Sequence, residues 1–166
     1  QDLRVIPLLL VGTLPVVVIG LTAKKYAEHF LESPLLAGCM LPVTGLILLL
    51  IPRIPQNDQS YTKITYKQAL LIGLAQAIAI LPGISRSGST IVAGLFTGMS
   101  RQSAATFSFL LAIPAISGAT ILETAEIISN QHLSTPLNLL LSGALIAAVV
   151  GVVALWLLVR WLEKGK

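Results

Sequence analysis

Charge is what this sequence lacks most. Only 11% of its 166 residues are charged, while 55% are hydrophobic, and a soluble domain usually carries about a quarter charged residues. Because so few charges cannot cover a water-facing surface, the composition excludes an ordinary soluble domain and indicates a protein embedded in lipid. The 11 Lys and Arg residues are scattered among long apolar runs and form no basic face, which argues against a nucleic acid as partner.

Cysteine and histidine are also scarce, and this limits the sites that the chain can build. The single cysteine, Cys39, lies in an apolar run, so it cannot form an internal disulfide or a metal cluster, and we expect a small buried hydrophobe. His29 and His132 lie between apolar runs, where a position in solvent or at an interface is expected instead of catalysis. Glu123 and Glu126 could share a helix face as a metal pair, but a solvated face is favoured.

Long uncharged runs are abundant. About 20 mostly apolar residues cross a ~30 Å hydrocarbon core, and four runs are long enough, at about 5–23, 33–52, 102–122 and 133–159. The predicted fold is therefore all-α, a polytopic integral membrane helix bundle that forms a single membrane domain over residues 1–166. Pro34 suits the first turn of its helix, and Pro114 is expected to kink the third span.

The segment from about 68 to 100 has a different pattern. Two apolar pieces, each too short to cross a membrane, flank the breaker pair Pro82-Gly83 and a polar stretch. This pattern predicts a re-entrant helix-loop-helix hairpin, whose irregular tip must face protein or a wet cavity. The loop 53–67 carries Arg53, Lys63 and Lys67, so it is predicted to be cytoplasmic. Small residues at helix-packing spacing indicate a compact bundle: Gly73 with Ala77 and Gly94 with Gly98.

Arg86 is the residue of this hairpin that needs an explanation. An arginine at membrane depth costs about 2.5–3.5 kcal/mol on insertion scales, so we expect it to face an anion or a water-filled pocket. Its planar guanidinium can hold phosphate oxygens in a two-pronged manner, which a lysine cannot do. Hydroxyl groups that can donate hydrogen bonds surround it on Ser85, Ser87, Ser89 and Thr90.

The backbone of the tip favours the same ligand. Gly83 and Gly88 permit tight turns and the close approach of a ligand, and a helix that begins near Ser87 would direct its free amides at the same point. The pattern therefore predicts a phosphate cradle. In the plainer alternative, Ser85 or Ser87 only caps the helix while Arg86 extends to the membrane interface. The breaker pair and the additional hydroxyls favour the cradle.

The tip is also similar to a known signature. The PGxSRSxxT motif of the undecaprenyl-diphosphate phosphatases, the bacitracin-resistance family, resembles nine consecutive residues of this chain, Pro82-Gly83-Ile84-Ser85-Arg86-Ser87-Gly88-Ser89-Thr90. The resemblance continues on both sides, over 66–79, 98–101 and 107–114, and covers essentially the whole chain.

This resemblance implies a fold and an activity. The fold would have six spans and two re-entrant hairpins in an inverted repeat, of which this chain holds one half. The activity would be hydrolysis of undecaprenyl diphosphate to the monophosphate in the bacterial plasma (inner) membrane, supported by a divalent cation, Mg²⁺ or Ca²⁺. Arg86 and Ser85 would be catalytic, and the substrate would be bound by Gly83, Ser87, Gly88, Ser89 and Thr90. Gln76 is expected either to support this site or to make an interhelical hydrogen bond.

The chain departs from the family pattern in one respect. The family's glutamate motif, with its nearby serine and histidine, would lie upstream of Gln1, and the last span would lie beyond Lys166. We therefore expect a fragment that holds no metal ligand and is inactive alone. No His, Asp or Glu occurs between Lys67 and Gln102, so the general base must come from elsewhere, because arginine stays protonated and serine needs activation.

Two rival functions remain open at this point. A transporter or flippase for a prenyl-phosphate headgroup could use the same cradle to bind without hydrolysis, and a nearby carboxylate or histidine would separate it from a phosphatase. A non-catalytic membrane scaffold gains nothing from a costly buried charge, so Arg86 argues against it. A homo-oligomer is compatible with the sequence, which contains nothing that decides the oligomeric state.

Overall fold

The computed structural model describes residues 2–55, 57–130 and 136–164. Over these ranges the chain forms helices and no β-strand, which confirms the all-α class. The helices are α1 (Val5–Leu31), α2 (Pro34–Leu50), α3 (Tyr66–Ile78), α4 (Arg86–Phe96), α5 (Arg101–Asn130) and α6 (Leu137–Lys164). Short 3-10 turns lie at Asp2–Arg4, Ile51–Arg53 and Tyr61–Lys63.

Four helices are long and apolar enough to cross a membrane, which makes this a membrane protein. The qualifying segments are Val5–Ala27, Pro34–Arg53, Arg101–Ala125 and Leu137–Ala154. The chain separates into two compact units, Gln1–Thr120 and Ile121–Lys166. Whether residues 1–166 form a single membrane domain stays a prediction.

The helices extend beyond the apolar runs at two places. The segment 26–31 continues α1 with one irregular residue, Ala27 (φ −136°, ψ 21°). The helix of the third span, predicted at about 102–122, continues as α5 to Asn130. Glu and Ala are good helix formers in water as well as in lipid, so a loss of hydropathy does not end a helix. His132 lies outside the described residues, as does the Glu126 side chain, while His29 and Glu123 are exposed.

The core of the first unit lies where α1 crosses α3 and both meet α5. Its fully buried side chains include Leu8, Ile72, Phe107 and Leu111. The two helices cross so closely that a β-carbon added to Gly73 would collide with the carbonyl oxygen of Gly12. The prediction that Gly73 is a helix-packing residue is therefore confirmed.

Gly98 has a different role from the one that its spacing predicted. It lies after the end of α4 with φ 95°, and its amide donates to the carbonyl of Leu95 at 3.0 Å while that of Met99 donates to Gly94 at 3.1 Å. These two bonds form a Schellman motif, which requires a left-handed residue at this position. Gly98 therefore terminates the helix, whereas Gly94 packs against Ala104 as a small residue should.

The helix α2 begins as predicted, with Ser33 as N-cap and Pro34 in the first turn. None of its residues is buried, and the prediction of a buried Cys39 is wrong because this side chain is exposed. The physical reason is that α2 contacts the hairpin along one narrow face, so Cys39 lies on the free side.

The predicted hairpin consists of α3, the turn 79–85 and α4. Its two ends lie side by side, because Gln68 Nε2 on α3 donates to the carbonyl of Thr97 at 2.7 Å and to Gln59 Oε1 at 3.2 Å. The main-chain carbonyl of Gln59 also accepts a hydrogen bond from the amide of Ser100 at 3.1 Å, which links the loop before α3 to the turn after α4. The tip therefore lies at the far end of both helices, and its re-entry into a bilayer stays a prediction.

Candidate functional site

The tip turns at Gly83, as its breaker pair predicted. Gly83 has φ 91°, a left-handed conformation that side chains rarely adopt. A β-carbon there would also collide with the carbonyl oxygen of Ala37 on α2. Both requirements, the turn and the contact with α2, explain why a glycine occupies this position.

Ser85 ends the turn and is the N-cap of α4, as the plainer alternative proposed for Ser85 or Ser87, and the helix begins at Arg86, close to the predicted start near Ser87. Its Oγ accepts a hydrogen bond from the amide of Gly88 at 3.1 Å, as N-cap serines do. The amides of Arg86 and Ser87 have no hydrogen-bond partner in the described part of the chain. These two N–H groups, at the positive end of the helix dipole, are available to an anion.

Gly88 lies within the helix and not in a turn, contrary to the prediction. A β-carbon there would come within 3.0 Å of Ser85 Oγ and 3.1 Å of Leu48 Cδ2. Its small size therefore leaves room for the N-cap and for a side chain of α2. A role in substrate binding stays a prediction for both Gly83 and Gly88.

Arg86 is half-buried and is folded back onto neighbouring helices. Its Nε and Nη2 donate to Gln76 Oε1 at 2.9 and 2.6 Å, and Nη2 also donates to the carbonyl of Leu111 at 3.1 Å. Nη1 has no partner in the described ranges, and no described carboxylate lies within ion-pair distance of the guanidinium. The guanidinium is therefore anchored to α3 and α5, and whether it also lies at the membrane interface stays a prediction. The guanidinium is held by neutral acceptors and keeps one unengaged nitrogen.

Gln76 is the partner that holds this cation, and it is only 1% exposed. Its Oε1 must face Arg86, because rotating the amide would bring its N–H groups against those of the guanidinium. Its Nε2 consequently points elsewhere and has no hydrogen-bond partner among the residues that the structure describes. A buried unsatisfied donor costs about 1–3 kcal/mol, so an acceptor beside this nitrogen would be stabilising.

The helix α5 completes the walls of the site. Ser108, which is 5% exposed, is 2.6 Å from Thr90 between the two hydroxyl oxygens. The Leu111 carbonyl that receives Arg86 lies three residues before Pro114, whose missing N–H leaves the carbonyl of Leu110 without its helical donor. The hydrogen-bond ladder of α5 is therefore open beside the point where Arg86 binds.

The predicted hydroxyls divide into two pairs. Ser89 donates to the carbonyl of Ser85 at 2.9 Å, and Thr90 donates to those of Arg86 and Ser87 at 3.0 and 3.2 Å. Both are turned into the helix, whereas Ser87 is exposed without a side-chain hydrogen bond in the described structure. Ser85 uses an oxygen lone pair for its cap and retains its O–H. The hydroxyls of Ser85 and Ser87 are thus the accessible pair.

Three groups of this site were not predicted from the sequence. Thr44 is an isolated polar residue within an apolar helix, Ser108 is one of several hydroxyl residues near the start of α5, and the Leu111 carbonyl is a main-chain atom without any sequence signal. Thr44 donates to the carbonyl of Gly83 at 2.7 Å and accepts from the amide of Ser85 at 2.9 Å. The only available clue was that a lone hydroxyl in an apolar run needs an acceptor.

Comparisons with known proteins place this geometry in a family. The family model described as "Bacitracin resistance protein BacA" matches residues 1–166. A Rhodopirellula baltica protein named undecaprenyl-diphosphatase is 50% identical over 100% of this chain and 65% of its own length. A protein of the same name from Desulfatibacillum aliphaticivorans is 44% identical over 99% of this chain and 59% of its own.

A third relative, from Desulforapulum autotrophicum, carries the same name and is 41% identical over 99% of this chain and 59% of its own length. The chain therefore spans less than two thirds of the length of these relatives. The family model, in contrast, matches from the first residue to the last. The chain belongs to the bacitracin resistance protein BacA family.

Proposed function

We propose that this protein hydrolyses undecaprenyl diphosphate to undecaprenyl phosphate, as the names of its relatives suggest. We place it as a multi-pass protein in the bacterial plasma (inner) membrane. There it would recycle the lipid carrier of peptidoglycan synthesis and give bacitracin resistance. The observation that carries the proposal is Arg86, a half-buried cation held by neutral groups, with no carboxylate partner in the described structure.

A phosphate group fits the unpaired hydrogen-bond donors at the tip. Nη1 of Arg86, the amides of Arg86 and Ser87 and the hydroxyls of Ser85 and Ser87 are all donors, and phosphate oxygens are acceptors. A site that offers these donors and one positive charge, with no negative charge beside them in the described structure, selects an anion over a neutral headgroup.

The same groups explain a contribution to catalysis. Hydrolysis breaks the bond between the bridging oxygen and the terminal phosphorus, water supplies the new oxygen, and undecaprenyl phosphate and inorganic phosphate are released. Phosphoryl transfer depends mainly on positioning and on stabilising negative charge. Arg86 and the helix amides supply that stabilisation, and Gln76 fixes the direction of the guanidinium. The base that activates the nucleophile lies outside this set.

We also propose that a divalent cation, Mg²⁺ or Ca²⁺, supports the reaction. The described residues do not by themselves fit such an ion, because they contain no group of three His, Cys, Asp or Glu side chains and the tip offers only hydroxyl and amide oxygens. Mg²⁺ and Ca²⁺ prefer carboxylate oxygens. Its ligands would therefore have to come from outside the tip, and loss of turnover with a chelator would support its involvement.

A transporter or flippase for a prenyl-phosphate headgroup is the second candidate. It is favoured by one observation, the lack of a carboxylate or histidine beside Arg86 in the part of the chain that the structure describes. Such a protein would bind the headgroup at the same donors and move it without cleaving it.

The test uses the protein as its gene encodes it, purified in detergent and supplied with undecaprenyl diphosphate and Mg²⁺ or Ca²⁺. We expect release of inorganic phosphate by the wild type and none by Arg86→Ala. Binding without any phosphate release by the wild type would contradict the phosphatase proposal and favour the transporter.

A further inference from the structure

Thr44 behaves differently from three other threonines that lie in the apolar helices. A threonine inside a helix usually donates its hydroxyl to the carbonyl four residues earlier. This pattern is followed by Thr13 (to Leu9, 2.7 Å), Thr22 (to Val18, 2.9 Å) and Thr120 (to Ile116, 2.9 Å). Thr44 instead directs its hydroxyl out of α2, toward a segment about 40 residues away in sequence.

The hydroxyl of Thr44 makes two hydrogen bonds, and both are to the backbone of the tip. It donates to the carbonyl of Gly83 at 2.7 Å and accepts from the amide of Ser85 at 2.9 Å. These two groups flank Ile84, so a single side chain fixes both peptide units around this residue. Few other side chains could satisfy a donor and an acceptor so close together.

The two bonds set the conformation from which α4 begins. Ser85 is held extended (φ −69°, ψ 114°), and in this state its Oγ reaches the amide of Gly88 at 3.1 Å. Arg86 follows directly, in register with Gln76 and Leu111. Because Thr44 occupies the amide of Ser85, the free amides at the helix start are those of Arg86 and Ser87.

Thr44 also lies at the centre of the face of α2 that meets the hairpin. Ala37 and Met40 contact the position of Gly83, and Leu48 contacts that of Gly88. Residues 37, 40, 44 and 48 follow a spacing of three and four, which places them on one helix face. Thr44 is the only hydroxyl on this otherwise apolar face.

We propose that Thr44 is a positioning residue of the active site, whose hydroxyl fixes the Gly83–Ser85 backbone so that Arg86 and the α4 amides converge on the phosphate. The inference rests on the proposed hydrolysis and adds a residue to it. Thr44 does not touch the reacting atoms; it acts through Ser85 and Arg86.

The test compares two substitutions with opposite chemistry in the gene-encoded protein. Thr44→Val keeps the shape and removes the hydroxyl, whereas Thr44→Ser keeps the hydroxyl and removes the methyl group. We expect Thr44→Val to lower kcat about ten- to a hundredfold, the range caused by small misplacement of catalytic groups, and Thr44→Ser to retain most of it. Thr22→Val, which removes an exposed back-bonded hydroxyl, is the matched control and should change kcat by no more than about twofold.

A second measurement does not require turnover. Hydrogen–deuterium exchange over residues 82–90 of the ligand-free protein reports the amide of Ser85, which Thr44 protects in the wild type. We expect exchange of this amide to rise about tenfold in Thr44→Val and to stay near the wild-type rate in Thr44→Ser and Thr22→Val.

The outcomes separate this inference from the proposed function. Normal activity and unchanged exchange in Thr44→Val, or a loss in Thr44→Ser with a normal Thr44→Val, would show that only the shape of Thr44 matters and would overturn the inference. If the wild type releases no phosphate, the proposed function fails, and the exchange measurement alone still decides whether Thr44 holds the tip.

Discussion

The hairpin α3–α4 and the helix α6 both contain long apolar stretches, yet they differ in what they bury. Every α6 side chain that the structure describes is exposed, and the positions of Gly143 and Gly151 have open space around them. The hairpin buries Gln76 and Thr90 among apolar neighbours. Apolarity alone therefore marks a segment for the membrane, whereas a buried hydrogen-bonded polar group marks a site, because it is retained despite its cost.

The largest difference between the hairpin and α6 should appear when the positive charge of Arg86 is removed. We expect Arg86→Ala to lower the hydrolysis of undecaprenyl diphosphate by about 10³-fold or more, the range found for arginines that stabilise a phosphoryl transition state. Membrane insertion should not change, because the substitution removes a charge from an apolar environment. The matched control is Arg101→Ala at the exposed start of α5. Normal turnover by Arg86→Ala would refute the role of this arginine.

The next largest effect is expected when the positive charge is kept but the guanidinium is replaced by an ammonium group. We expect Arg86→Lys to lose about 10²-fold in kcat, because an ammonium group cannot reach Gln76 Oε1, the Leu111 carbonyl and a phosphate in the geometry of the guanidinium. Steady-state kinetics in detergent measure this effect. Near-normal turnover would show that positive charge alone suffices and that the fork geometry is dispensable.

Removing the support of the cation should have a smaller effect. Gln76→Leu leaves Nε and one N–H of Nη2 without their acceptor, so Arg86 loses its fixed direction, and we expect kcat to fall about tenfold. Gln102→Leu, on the exposed start of α5, is the control. If Gln76→Leu and Gln102→Leu have equal kcat values, Gln76 is an ordinary interhelical contact.

The smallest expected effect is on stability and concerns helix packing. Gly73→Ala places a β-carbon against the carbonyl of Gly12, and we expect it to destabilise the fold by about 1–3 kcal/mol. The same change at Gly143 in α6 meets open space and should stay within about 0.5 kcal/mol. Thermal unfolding of both variants in one detergent measures the difference. Equal midpoints would mean that the α1–α3 crossing tolerates a larger residue.

The sequence was informative where a local pattern determines the structure. Hydropathy located the four long helices, and Pro82-Gly83 located the turn between α3 and α4. Ser85 was recognised as a candidate cap because N-caps follow from residue type and position. These features depend on neighbours within a few residues, so a single sequence is sufficient to predict them.

The remaining features depend on contacts that are distant in sequence. The spacing of Gly94 and Gly98 suggested a packing stripe, but the end of α4 places Gly98 in a Schellman turn. The partners of Arg86 are an amide ten residues earlier and a main-chain carbonyl 25 residues later. Thr44 gave no periodic signal, since its role arises only when α2 packs against the tip.

The most direct test of the proposal that Arg86 binds the phosphate headgroup is a measurement of headgroup selectivity. The affinities of the gene-encoded protein for undecaprenyl diphosphate and for undecaprenol, which lacks phosphate, would be measured in the same detergent for the wild type and Arg86→Ala. We expect the wild type to prefer the diphosphate about 10²-fold or more, and Arg86→Ala to bind the two lipids about equally. An unchanged preference in Arg86→Ala would contradict the account, because the phosphate would then be bound somewhere other than the hairpin tip.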